Sequence, residues 1–188
     1  MGMPATRTDW TVEMLDALED DGQRYELIDG ELFVTPSPID IHQMVVGELH
    51  ALLREYLKGK GIGKPMVSPS DVRRADRTRN RVQPDVFVVR LADGLRPPYP
   101  YDLSDLLLAV EVTSPSSRRL DYHTKRDLYL RSGVVNYWVI DADARNVSCW
   151  AGASDPGQIF SEMVEWWPLG ALSPFVLRLD SFFTDALA

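Results

Sequence analysis

Leu106-Leu107-Leu108-Ala109-Val110-Glu111-Val112-Thr113 is a near-continuous apolar run, the pattern of a β-strand covered on both faces. One acid interrupts it. Strand side chains alternate, so Glu111 shares a face with Ala109 and Thr113 while Val110 and Val112 point the other way. A second acid has the same kind of setting upstream, in Val82-Gln83-Pro84-Asp85-Val86-Phe87-Val88-Val89. An ionised carboxylate in such a segment carries a desolvation cost on the order of several kcal/mol unless a cation or donors compensate it. Two on neighbouring central strands also repel, and a bound divalent cation relieves both problems. Pro84 removes a ladder hydrogen bond, so a bulge or strand entry that re-aims Asp85 is expected there. Taken singly, each acid reads as an exposed strand end or an arginine partner; taken together, they read as a site.

After the apolar run, Ser114-Pro115-Ser116-Ser117-Arg118-Arg119 leads into a helix predicted over 120–131 and closed by Gly133. Asp121 and Lys125 are four apart on one helical face, from which Lys125 can swing its ammonium toward the two carboxylates. A buried strand is expected over 134–141, further strands over 147–150, 159–166 and 175–179, and a helical turn around Phe182. On the N-terminal side, a short helix over 11–19 precedes two apolar-rich runs joined by Asp29-Gly30, a strong hairpin signal. Pro36 and Pro38 then break the strand. Ile41, Val45, Leu49, Leu52, Leu53, Tyr56 and Leu57 form the stripe of a helix over 41–58, with Gly59, Gly61 and Gly63 closing it. Strands are expected over 64–68, 71–74 and 82–90. The predicted fold is α+β (mixed α/β), one domain over 1–188, with a central mixed sheet flanked by helices and an N-terminal helix and hairpin.

Composition narrows the function. The chain has 188 residues, with 20 Lys+Arg against 28 Asp+Glu, a formal charge of −8. Such a balance speaks against a protein that coats nucleic acid non-specifically, but leaves room for one basic groove. The segment 71–81 is the candidate: Arg73, Arg74, Arg77, Arg79 and Arg81 outweigh Asp71 and Asp76 by three charges. Phosphate contacts act over about a Debye length, so a local cluster can work in an acidic protein. Cys149 is the single cysteine, which excludes an intrachain disulfide, and no apolar run is long enough to span a membrane. A cytoplasmic location is expected.

The ordered stretches Tyr25-Glu26-Leu27-Ile28-Asp29-Gly30-Glu31, His42-Gln43, Gln83-Pro84-Asp85, Glu111-Val112-Thr113-Ser114-Pro115-Ser116, Asp121 with Lys125, and Gly133-Val134 leading to Tyr137-Trp138-Val139-Ile140-Asp141 carry a resemblance. Pro84-Asp85 and Glu111 resemble the PD-(D/E)xK nuclease signature. The whole series is similar to the Uma-two family of restriction-endonuclease-like proteins. That motif has lysine two residues after its second acid, and here Thr113 stands in that place. The resemblance implies that the lysine has moved to the following helix, which makes Lys125 the replacement, and it implies DNA as the substrate.

Asp85 and Glu111 are hard oxygen ligands of the kind magnesium or manganese takes. Glu26 and Glu31 flank the hairpin turn and Glu48 lies on the long helix; parity alone leaves open which of them faces inward. His42 and Gln43, at the start of the long helix, can meet a phosphate or a ligand water, with His42 equally readable as a helix cap, and Asp121 accompanies Lys125. The expected activity is phosphodiester hydrolysis by a homodimer, since two sites related by a two-fold axis cut both strands. A non-catalytic nuclease fold that binds nucleic acid or protein is the alternative, and a hydrolase of small phosphorylated substrates a third.

Overall fold

The computed structural model describes residues 9–19, 21–35, 40–74 and 78–188. The N-terminal half contains α1 (Val12–Asp16), β1 (Arg24–Ile28), β2 (Glu31–Thr35), α2 (Asp40–Leu57), β3 (Gly63–Val67), β4 (Val72–Arg73), β5 (Arg81–Val82) and β6 (Val86–Arg90). Then follow β7 (Tyr101–Asp102), β8 (Leu106–Thr113), a π-helical segment (Leu120–Lys125) and α3 (Arg126–Arg131). The chain closes with β9 (Tyr137–Asp141), β10 (Asn146–Trp150), β11 (Gln158–Phe160), β12 (Met163–Trp166), β13 (Phe175–Arg178) and α4 (Leu179–Leu187). The expected break at Pro36 and Pro38 lies outside the described residues, as do Asp76 and Arg77.

A mixed six-stranded sheet, order β11-β10-β9-β8-β6-β3, is the frame. The β8–β9 pair is parallel and its neighbours are antiparallel. Every residue of β8 is buried, as its apolar run requires. Alternation divides the core in two. Val86, Val88, Val110 and Val112 pack with Val45, Leu49 and Leu53 of α2 and with α4, whereas Phe87, Val89 and Ala109 pack with Leu128 and Tyr129 of α3. Each such leucine, fully buried, contributes about 1.5–3 kcal/mol.

A smaller sheet, order β2-β1-β5-β4-β7, holds the hairpin. Asp29 (φ 52°) and Gly30 (φ 84°) both take the left-handed conformation that a primed two-residue turn needs. The fold is mixed α+β as expected, but several details differ from the sequence reading. The predicted strand over 82–90 is two strands in different sheets, because Pro84 cannot donate to a ladder on either side of an interior strand, whereas Pro65 is tolerated in the edge strand β3. Pro84 is thus a crossing point, while the register shift lies between Val88 and Val89. Gly63 opens β3 rather than closing α2. Ile41 is exposed, so the buried stripe of α2 starts at Val45. The segment over 159–166 forms two strands, and the turn around Phe182 is the full helix α4, whose Phe182 and Phe183 are buried. Among the described residues, no helix is long and apolar enough to cross a membrane.

Candidate active site

In the antiparallel β6–β8 pair, Val86 faces Val110, so Asp85 and Glu111 occupy the next rung. Both are buried, at 5% and 2% exposure. Asp85 Oδ2 accepts from the Val112 N–H at 2.9 Å and lies 3.0 Å from His42 Nε2. Its Oδ1 accepts from Arg24 Nη1 at 3.1 Å. Glu111 Oε1 accepts from the Tyr129 hydroxyl at 2.7 Å and pairs with Lys125 Nζ at 3.1 Å. That same ammonium lies 2.7 Å from Glu26 Oε2, and Glu26 Oε1 accepts from the Gln83 N–H at 2.8 Å.

Local structure explains the convergence. In β1, period two puts Arg24, Glu26 and Ile28 on the face toward the central sheet, while Leu27 packs with Val12 and Leu15 of α1. The parity question is thereby settled for Glu26, which is fully buried in the cluster; Glu31 and Glu48 take no part in it. The π-helical segment turns Asp121 and Lys125 inward, and both are buried. Single π turns of this kind are frequent at functional sites. His42, in the first turn of α2, reaches Asp85, whereas Gln43 is exposed and outside the cluster.

The electrostatics are unbalanced. Burial alone would raise Asp85, but the His42 hydrogen bond and the charges of His42, Arg24 and Lys125 outweigh it and hold this carboxyl well below the usual range. Glu111 goes the other way: burial pushes it up, Lys125 opposes, and Asp85, Glu26 and Asp121 add repulsion. Burial likewise raises Asp121. Lys125 loses to burial but gains more from Glu111, Glu26, Asp121 and Asp85, so its ammonium is held firmly protonated. Four acids (Glu26, Asp85, Glu111, Asp121) crowd two obligate cations (Arg24, Lys125) and His42, so carboxyls outnumber cations and Glu111 and Asp121 hold their protons more tightly than usual.

That crowding of carboxyls and the all-oxygen donor set fit a hard divalent cation. Among the described residues, no three His, Cys, Asp or Glu side chains form a ready cage. Magnesium does not need one, since it is commonly held by one or two carboxylates plus water and substrate phosphate. Glu111 Oε2 takes none of the contacts that hold Oε1 and is the natural ligand atom.

The arginine segment is largely committed to acids of its own. Arg73 Nη2 lies 3.7 Å from both Asp16 and Asp71, Arg81 pairs with the same two acids, and Arg79 donates to the Asp29 carbonyl at 2.9 Å. Arg74 is half-buried, and Arg77 lies outside the described residues. Two members of the cluster went unread in the sequence. Arg24 shares the strand face of Glu26, and Tyr129 follows Lys125 by one helical turn; these spacings were the available signals.

Comparison with known proteins gives the fold and the family. A solved structure titled as a "putative nuclease" from Anabaena variabilis is 20% identical, with a TM-score of 0.74 over 94% of this chain and 98% of that one. No curated protein matches. The family model described as "Uma2: Putative restriction endonuclease" matches residues 12–162. With the pairing of Asp85, Glu111 and Lys125 all inside that match, the chain belongs to the Uma2 family of restriction-endonuclease-like proteins.

Proposed function

We propose that the protein is a metal-dependent nuclease, hydrolysing DNA phosphodiester bonds at Asp85, Glu111 and Lys125. The observation that carries this reading is the buried Lys125 ammonium, 3.1 Å from Glu111 and 2.7 Å from Glu26, at the same end of the sheet as Asp85. Magnesium or manganese, held by Asp85 and Glu111, would supply Lewis acidity toward a phosphoryl oxygen and a water of lowered pKa. Lys125 orients the attacking water and offsets charge that builds on the phosphoryl oxygens. Glu26 anchors the ammonium, and Tyr129 fixes the Glu111 carboxylate. Arg24 and His42 hold Asp85 and stand where an incoming phosphate arrives. Nucleic-acid contact by Arg73, Arg74, Arg77, Arg79 and Arg81 would require Arg73 and Arg81 to give up their pairing with Asp16 and Asp71. A cytoplasmic homodimer completes the proposal; exposed Trp167, Leu169 and Leu172 supply apolar surface for it.

The test is cleavage of plasmid and oligonucleotide substrates with magnesium, manganese or chelator, beside Asp85→Ala. Cleavage that needs the metal and falls at least about a hundredfold in the variant is expected, since the site acts through electrostatic stabilisation. Cleavage indifferent to both would end the reading. The second reading is a binding module without turnover. It is favoured by Arg24, His42 and the Val112 N–H together filling the oxygens of Asp85.

A further inference from the structure

Lys125 reaches Glu111 and Glu26 from a turn that an ordinary helix does not contain. The chain is helical from Arg118 to Arg131, and the π-helical segment Leu120–Lys125 interrupts it. A π turn spends one more residue than an α turn before its hydrogen bond closes. Tightening it to α winding would therefore rotate its Asp121 end against its Lys125 end by one residue step, roughly 100°. Lys125 has no room for that, since its buried ammonium sits between Glu26 at 2.7 Å and Glu111 at 3.1 Å. Turns of this width are rare, so a contact from outside the helix is expected to hold one open.

That contact comes from β9. Tyr137, fully buried, donates its hydroxyl to the Asp121 carbonyl at 2.9 Å. A backbone carbonyl has two lone pairs, so it can take a side-chain donor while it serves the helix. The tyrosine ring is itself held, tilted against Tyr129 with centroids 5.0 Å apart and stacked on Trp150 at 5.8 Å. It cannot follow the helix if the turn shifts. Burial, with Glu111 foremost among the nearby carboxylates, pushes this phenol well above its usual range, so it stays a donor. The same strand sets the acid, because β9 pairs in parallel with β8 and places Val139 opposite Glu111. One element thus references both partners of the ion pair.

We propose that Tyr137 is a positioning residue of the site: its hydroxyl holds the Asp121 carbonyl, keeps the segment in its π turn, and so aims Lys125 at Glu111 and Glu26. It touches no substrate. The consequence for cleavage rests on the nuclease reading, whereas the consequence for Lys125 stands without it.

The test variant is Tyr137→Phe, which removes one oxygen and leaves the ring against Tyr129 and Trp150. Tyr122→Phe is its control, since Tyr122 lies in the same π segment but its hydroxyl meets Ser148 at 3.4 Å. Acylation by acetic anhydride in chelator, read by peptide mass spectrometry, should be about fivefold faster at Lys125 in Tyr137→Phe than in wild type or control, the worth of one hydrogen bond. The exposed Lys58, Lys60 and Lys64 are the internal standard and should not change. Hydrogen exchange over 121–126 should quicken in step, while β8 and β9 stay protected. Cleavage per folded molecule should fall by the same factor with KM unchanged. Equal acylation of Lys125 in wild type and Tyr137→Phe overturns the proposal, and so does a loosening that spreads to β8 and β9. In the wild type alone, exchange over 121–126 far faster than in those strands would overturn it as well. Faster acylation in a protein that never cleaves removes only the nuclease reading; metal-dependent cleavage with unmoved acylation removes only the role of Tyr137.

Discussion

Burial raises Glu111, three neighbouring carboxylates add to the rise, and Lys125 is the main group opposing them. A carboxyl raised on folding contributes stability that is fully present below its unfolded value of 4.5 and is lost as pH climbs through the folded one. In chelator, the melting temperature of the wild type should therefore fall more steeply than that of Glu111→Gln as pH rises above the unfolded value. Added magnesium should restore the wild type at the alkaline end and leave the variant unmoved. Parallel slopes in the two proteins would refute the assignment. Lys125→Met presents a different case. It removes the ammonium that lies 2.7 Å from Glu26 and 3.1 Å from Glu111 and should cost about 3–5 kcal/mol in urea denaturation. Adding Glu26→Gln should return part of that stability but no cleavage, a coupling that a double-mutant cycle reads directly. At this scale the sequence was legible where chemistry and setting disagreed: an acid inside an apolar strand, as at Asp85 and Glu111. Arg24 gave no such signal, because its partner is 61 residues away and a charged residue at a strand end looks like ordinary surface.

Elements with a strong period read well and elements without one did not. The stripe of α2 and the unbroken run of β8 announce themselves, and Asp29-Gly30 fixes the hairpin through backbone conformation alone. The strand expected over 71–74 appears as β4, but β5 was read as part of the strand over 82–90 and β7 carries no periodicity, so the sheet that joins them to the hairpin stayed hidden. The π-helical turn is equally silent, since its residues keep the same apolar pattern as an α-helix. Gly63 shows how a residue with two meanings misleads. It looks like the last of three helix-ending glycines, yet it lies in β3, where a Cβ would stand 2.6 Å from Val88 Cγ1. Gly63→Ala should overpack that contact and cost about 1–3 kcal/mol in denaturant titration. Cleavage per folded molecule should be unchanged, because β3 contributes nothing to the carboxylate cluster.

On the scale of the molecule, exposed apolar side chains near β12 and β13 matter most. Leu169 and Leu172 are 86% and 100% exposed, with Trp167 close by in the chain. If this end joins two copies, light scattering should give a dimer that Leu169→Asp with Leu172→Asp converts to a monomer. Plasmid products should shift at the same time from linear to nicked, since only paired sites cut both strands together. A monomer in the unsubstituted protein would sink the idea. Consider finally where the chain crosses between sheets at Pro84. One side of that seam supplies Arg24 and Glu26, the other supplies Asp85 and Glu111, and the helix beyond them supplies Lys125. A nascent chain emerging from the ribosome holds these pieces scattered, each innocuous. Whatever reactivity the cluster has arrives only when the last of them docks, so a half-made copy is chemically silent.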